Sequence, residues 1–337
     1  MTSKNDFPEQ RVPAGQASEW NWNPDLPIPT SPLFRWPPKP IETVKWLSSY
    51  WLGISAVVVE FVLAFAVWEF LQPGIEEMKS FSFGWVFQIY VRNLALLTLV
   101  AGGLHAYLYS FRKQGSRLKY DARDLAKASR RFTFRNQVFD NMFWSLASGV
   151  TVWTAYEVAY NWAAANDYVP SLAIGQNPVW FVAWFALIPI WSSLHFYWVH
   201  RVLHWPPLYR FAHSLHHRNV TVGPWSGISM HPLEHAMYFS SVLIHVVVAS
   251  HPVHVLFHLY LEALNPAFSH SGFDGLLYRD KKRMELGDFF HQLHHRYFEC
   301  NYGTAEMPWD KWFGSFHDGT ASSMKEIRKR GALKKRN

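Results

Sequence analysis

Histidine is the residue type in this sequence whose number and spacing most plainly could do chemistry. Seventeen of the 18 histidines lie between His195 and His317. HRVLH sets His200 and His204 four apart, so both imidazoles leave one helical face. HSLHH adds His213, His216 and His217, and HQLHH adds His291, His294 and His295, each at i, i+3 and i+4. HPLEH carries His231 and His235, with Pro232 suited to a first helical turn and Glu234 near the positive end of its dipole. His270 stands in NPAFSHSG. A metal ion needs several neutral imidazoles converging on it, and a few helices with these spacings supply them. Nine to eleven such ligands exceed the capacity of one ion and point to two metals. Imidazole suits zinc, copper, iron and nickel alike, so spacing leaves the metal open. HxxxH lacks the Glu of HExxH, which argues against a zinc protease with a built-in base. No Ser or Cys nucleophile motif, Gly-rich phosphate loop or Rossmann fingerprint is present. Cys300 is the single cysteine, which excludes an internal disulfide and a Cys-based zinc or iron–sulfur site.

Other histidines fit the pattern less well. His251, His254 and His258, with Glu262, follow one helical stripe, and His245 lies just before it. These residues either border a substrate channel or pack behind the ligands. His195 precedes the first group by about one turn and is read as supporting it. His105 and His317 are not read as ligands.

The elements that must position these groups are apolar. Stretches at about Trp46–Leu71, Phe83–Ser110, Val138–Ala164 and Val179–His200 each approach the ~20 residues a bilayer core requires. A further stretch, 236–268, is broken at His251-Pro252 into pieces short for a span, which suits a re-entrant or interfacial hairpin. Residues 112–136 carry nine Lys/Arg against two Asp, and residues 325–337 carry seven against one Glu. The rest of the chain is net acidic, so the overall charge of +7 is two basic blocks. Flanking apolar segments, they act as positive-inside anchors and place the 112–136 loop in the cytosol rather than marking a nucleic-acid partner. Glu60, Arg92 and Glu157 fall inside the apolar stretches, where an unpaired charge costs at least ~2.5–3.5 kcal/mol. They either line a transport path or pair with one another. Residues 1–40 hold nine of the 20 prolines and no apolar period, an extended arm in which RWPPKP suits polyproline II. No secretory signal is visible at the N-terminus. The expected fold class is therefore all-α. It comprises a multi-pass membrane helical domain of about four spans plus the hairpin, under a cytosolic histidine-rich helical cap. The expected domains are an arm at 1–45, membrane helices at 46–194, a catalytic region at 195–317 and a basic tail at 318–337.

With HRVLH, HSLHH, HPLEH, HSG at 270–272, HQLHH, NYG at 301–303 and WDKWFGSF at 309–316, the sequence resembles the fatty acid hydroxylase/sterol desaturase superfamily of membrane di-iron enzymes. The resemblance covers about 195–317, and the preceding spans in hydropathy. It implies two non-haem irons held by His200, His204, His213, His216, His217, His270, His291, His294 and His295. His231 or His235 would supply a further ligand or a contact to one. Asp310, Glu234 or Asn301 would orient ligand rings, or serve as plain caps and surface residues. The implied reaction uses O2 as co-substrate to hydroxylate or desaturate a membrane lipid. The HPLEH/HSG pair leans towards sterol-type members. A fatty-acyl, sphingolipid, alkylglycerol or carotenoid hydroxylase is the alternative within the same chemistry. A His-rich membrane metal transporter or scaffold is the alternative outside it. No HPGG haem signature is present, so electrons would come from an external donor, a cytochrome b5-like protein or a reductase. The implied location is a membrane, endoplasmic reticulum in a eukaryote or inner membrane in a bacterium, with the active site cytosolic. The KKRN ending matches a di-lysine retrieval signal, as many basic tails do.

Overall fold

The computed structural model describes residues 20–52 and 55–334. Much of the N-terminal arm and the last three residues of the KKRN tail lie outside them. Helix α1 (Pro40–Leu52) starts within the span expected for the arm, and α2 (Ala56–Phe70) follows. The expected first span is thus divided between two helices, and the 15 residues of α2 fall short of a bilayer core. Next come α3 (Phe83–His105, continued by a π turn, Ala106–Ser110) and α4, which joins Gln137–Phe143, a π segment Trp144–Gly149 and Val150–Ala165. Helix α5 runs Pro178–Leu203. Among the described residues two helices, Phe83–Ser110 and Pro178–Leu203, are long and apolar enough to cross a membrane. The third stretch is helical throughout but carries buried Asp140, Asn141, Glu157 and Asn161.

Proline sets most of the later helix starts. Its fixed φ is compatible with a first turn, where a backbone N–H has no intrahelical partner. Pro178, Pro206, Pro232 and Pro252 open α5, α6, α7 and α8 in this way. Asn177 caps α5 by accepting from the Trp180 amide at 3.0 Å. Helix α6 comprises Pro206–Leu208, a π turn Tyr209–His213 and Ser214–His217. Helices α7 (Pro232–Phe239), α8 (Pro252–Ala263) and α9 (Asn265–Ser269) follow.

Every residue of α8 from Val253 to Ala263 is buried. The helix packs against α2, α4 and α5, with Phe61, Phe185 and Phe257 in mutual ring contact. Leu243, Val246 and Val247 in the first half of the 236–268 region are exposed, whereas α8 itself is an interior element. At 12 residues it rises only ~18 Å, too little to span.

The fold is mostly helical but not purely so. Strands β1 (Gly275–Tyr278) and β2 (Lys281–Glu285) form an antiparallel hairpin. Arg279 and Asp280 adopt positive φ at its turn, and Lys282 bridges Asp274 and Glu285. These residues are polar and local, so hydropathy gave no sign of them. Helices α10 (Phe289–Tyr297), α11 (Trp309–Trp312) and α12 (Ala321–Lys334) complete the chain, the last within the expected basic tail.

The charges within the apolar stretches are paired or hydrogen-bonded. Arg92 contacts Glu157 directly, and the Asn93 amide donates to Glu157 Oε2 at 3.0 Å, tying α3 to α4. Glu60 accepts from the Asn265 amide at 3.4 Å instead. The basic 112–136 loop packs on the histidine cap. The Tyr120 hydroxyl donates to the Gly287 carbonyl at 2.9 Å, and the Tyr120 amide donates to the Gly272 carbonyl at 2.9 Å. Loop and cap therefore occupy the same end of the molecule.

Candidate metal centre

The histidine groups meet in that cap as two sets, buried except for the half-buried His204. His200, His204, His213, His217 and His294 form one, and His216, His270, His291 and His295 form the other. In each set one ring nitrogen per residue lies within 4.8 Å of the others. The sorting follows helical geometry. On α6, residues i and i+4 (His213, His217) enter the first set and i+3 (His216) enters the second. On α10 the assignment reverses: His291 and His295 enter the second set and His294 the first. Two short helices thus serve both sets, α5 completes the first, and His270 after α9 completes the second. The π turn at Tyr209–His213 lies within α6, a widening found often at functional sites. Gly272 allows the chain to turn after His270. Its φ is +78°, and a Cβ there would stand 2.5 Å from the Tyr109 hydroxyl oxygen.

Backbone carbonyls fix which nitrogen faces inward. His200 Nδ1 donates to the Tyr302 carbonyl at 2.6 Å, and His294 Nδ1 to the Cys300 carbonyl at 2.6 Å. His270 Nδ1 donates to the Pro266 carbonyl at 3.1 Å. A carbonyl can only accept, so each neutral ring keeps a lone pair on Nε2. Those lone pairs converge. His204, His217 and His294 Nε2 atoms lie 3.0–3.2 Å apart, as do those of His270 and His295 at 3.1 Å. His200 and His213 Nε2 have no protein partner. Two nitrogens each ~2.1 Å from one ion at right angles would stand ~3.0 Å apart, so the spacing fits metal coordination. Without a cation such lone pairs would repel.

Burial also keeps these rings neutral, as a ligand must be. It pushes His213 and His270 down to about 3 and His216 to about 4. His217, His291, His294 and His295 are lowered well below the usual range by burial and then by neighbouring imidazoles.

The supporting residues sort cleanly. Glu234 Oε1 lies 2.7 Å from His213 Nδ1, the carboxylate–imidazole pairing that orients metal-bound histidines. Burial raises the Glu234 carboxyl to about 7. Asp310 touches no ligand ring. It accepts from the Tyr302 and Gly303 amides at 2.8 and 2.7 Å, fixing the loop whose carbonyl holds His200. Asn301, at φ 53°, donates to the Phe290 and His317 carbonyls at 3.0 Å each. NYG and WDKWFGSF are thus one clamp. The Cys300, Tyr302 and Pro266 carbonyls were missed by side-chain reading, since any residue type carries one. NYG beside the last histidine group was the only signal for the first two.

Two candidates stand outside both sets. His235 is consumed by the fold, with Nε2 donating to the Ile228 carbonyl and Nδ1 accepting from Ser148, both at 2.9 Å. His231 caps α7 by accepting from the Leu233 amide at 3.2 Å. His195 contacts Ser240 at 3.0 Å, and neither His105 nor His317 joins a set.

Residues 185–315 match the fatty acid hydroxylase family. A Delta(7)-sterol 5(6)-desaturase of Gibberella zeae is 32% identical over 132 residues, 38% of this chain and 40% of that protein. The Delta(7)-sterol 5(6)-desaturase of Saccharomyces cerevisiae is 32% identical over 120 residues, 36% of this chain and 32% of that protein. A Delta(7)-sterol-C5(6)-desaturase of Nicotiana tabacum is 27% identical over 154 residues, 44% of this chain and 54% of that protein. The matched part of the chain spans about a third to a half of these relatives. No solved structure matches this chain. Through its histidine-bearing region, residues 185–315, the chain is similar to the fatty acid hydroxylase family.

Proposed function

We propose that this chain is a membrane-bound di-iron oxidoreductase that uses O2 to desaturate or hydroxylate a sterol or related lipid. The observation that carries the reading is the division of nine converging imidazoles into sets of five and four. One ion per set accounts for all nine nitrogens. The relatives' printed activity, Delta(7)-sterol 5(6)-desaturation, makes a Delta(7)-sterol the substrate of choice.

In this reading His200, His204, His213, His217 and His294 hold one iron, and His216, His270, His291 and His295 hold the other. Bound there, the iron pair would supply O2 activation and attack on an unactivated C–H bond. The chain's own part is positional. The Tyr302, Cys300 and Pro266 carbonyls keep Nδ1 protonated on three rings, which leaves Nε2 for the metal. Glu234 does the same for His213 and offsets positive charge at the site. Burial of the rings excludes water that would quench a reactive centre. The basic loop packed on the cap and the two long apolar helices support a multi-pass topology with a cytosolic cap, and the reading takes the endoplasmic reticulum or a bacterial inner membrane as its location. Electrons would come from a cytochrome b5-like protein or a reductase.

The test is reconstitution. Purified protein should hold about two irons per chain and, given a one-electron donor, convert a Delta(7)-sterol to its 5(6)-unsaturated or hydroxylated product under O2. Turnover by metal-free protein would contradict the reading.

A further inference from the structure

Beneath the cap lies a second set of buried polar groups that the proposed metal chemistry does not use. Ser250, His245, His258, Ser241 and Glu262 are at most 2% exposed and form one continuous hydrogen-bonded chain. Ser250 Oγ lies 2.7 Å from His245 Nδ1, and His245 Nε2 lies 3.0 Å from His258 Nδ1. His258 Nε2 lies 2.9 Å from Ser241 Oγ, which contacts Glu262 Oε1. Ser192 Oγ reaches the same carboxylate oxygen at 3.3 Å.

The chain is complete in both polarities. With Glu262 ionised, Ser250 donates to His245, His245 Nε2 to His258, His258 Nε2 to Ser241, and Ser241 to Glu262. With Glu262 protonated every donor reverses, and the Ser250 hydroxyl turns to the Val248 carbonyl, 2.9 Å away. Trp184 Nε1 donates to Ser250 at 2.9 Å in either state. A network that served packing alone needs one polarity; this one supplies acceptors for two.

Its ends lie apart. The Ser250 backbone pairs with Pro170 and Leu172, in the connection between α4 and α5 at the end of the molecule opposite the cap. Glu262 lies two turns further along α8 than His254, on the side leading through α9 to His270. Its Oε2 has no protein partner. His195, Tyr156 and Tyr238 face it from α5, α4 and α7.

We propose that these residues form a proton relay that delivers protons towards the metal centre from the side opposite the cap. The inference rests on the oxidase reading above. Desaturation of R–CH2–CH2–R′ with O2, two electrons from a one-electron donor and two protons gives R–CH=CH–R′ and two waters. Hydroxylation of R–H with the same O2, electrons and protons gives R–OH and one water. Either reaction takes up two protons per turnover. For each, a proton reaching Ser250 passes to His245 Nδ1, the Nε2 proton of His245 passes to His258 Nδ1, and the Nε2 proton of His258 passes through Ser241 to Glu262. Rotation of the protonated carboxyl then turns the proton from Ser241 towards the unpartnered side of Glu262, from which it leaves.

Infrared difference spectroscopy of the full chain in detergent tests the relay without turnover. In spectra recorded from high to low pH, a protonated-carboxyl band absent from Glu262→Gln identifies Glu262, and a parent without such a band at any pH overturns the relay. In the parent its proton should exchange with D2O promptly, and in His258→Gln or His245→Gln about tenfold or more slowly. No exchange in the parent, or unchanged exchange in a folded variant, overturns the relay. With iron, a Delta(7)-sterol and a one-electron donor, His258→Gln should keep its metal and KM. Its kcat should fall about tenfold or more, with a larger solvent deuterium isotope effect. A parent that oxidises no sterol would defeat the functional reading alone, because the exchange measurement would still decide the relay.

Discussion

The molecule contains two histidine-rich regions that share a residue type and nearly the same helical spacing, yet differ in one physical respect. In the cap, Nε2 lone pairs face one another at 3.0–3.2 Å with nothing between them that can donate to all. Around α8, both nitrogens of His245, His254 and His258 are used. His254 accepts from the His251 amide at 3.0 Å and donates to the Phe181 carbonyl at 2.8 Å. Spacing brings imidazoles together; the partner of each second nitrogen decides between a metal centre and a hydrogen-bonded core.

The largest difference should appear when one ring is removed from each region. His294→Ala should weaken metal binding by more than about 100-fold and abolish lipid oxidation. His254→Ala should keep full metal content while losing about 1–3 kcal/mol of stability, because the Phe181 carbonyl is left unpaired. Metal analysis and thermal unfolding of both variants check this, and metal loss in His254→Ala would erase the distinction.

Supporting residues should produce intermediate effects. Glu234→Gln, at the His213 ring, and Asp310→Asn, at the loop behind His200, should each lower metal affinity about 10–100-fold. A metal titration of the purified variants reads this directly.

The pH dependence of metal-free protein sharpens the contrast further. Burial disfavours the imidazolium and holds His213, His216 and His270 at about 3 to 4 in the folded protein, below the 6.5 of a free imidazole. The unfolded chain therefore binds more protons across that window. The stability they contribute is fully present above about pH 6.5 and is lost as pH falls towards 3–4. Metal-free protein should unfold at higher pH than metal-loaded protein in an acid titration followed by circular dichroism. The smallest effect belongs to His231→Ala, which removes a helix cap worth about 1 kcal/mol and leaves metal content unchanged.

Much of this was legible in the sequence, and the exceptions have physical reasons. Eight of the nine cap histidines stand at i, i+3 or i+4 spacing, which survives folding because it depends only on helical pitch, whereas His270 was marked only by the resemblance of HSG to the family. His235 carried the same spacing relative to His231, but its partners Ser148 and Ile228 are remote in sequence or are backbone, so no pattern could announce them. The division of α1 from α2 and the interior placement of α8 were hidden because hydropathy does not distinguish lipid from protein as an apolar neighbour. The β1–β2 hairpin rests on local turn geometry and on Lys282, a polar arrangement that an apolar scan passes over. Arg92 and Glu157, separated by 65 residues, could be expected to pair only because solitary charge at that depth is costly.

The central claim, that the nine rings form two separate metal sites, is tested most directly by anaerobic titration of metal-free protein with ferrous iron. The parent should take up two ions per chain, and His270→Ala, altered in the second set alone, should lose the second while retaining the first. A parent that binds a single ion, or a His270→Ala protein that still binds two with unchanged affinity, would contradict it.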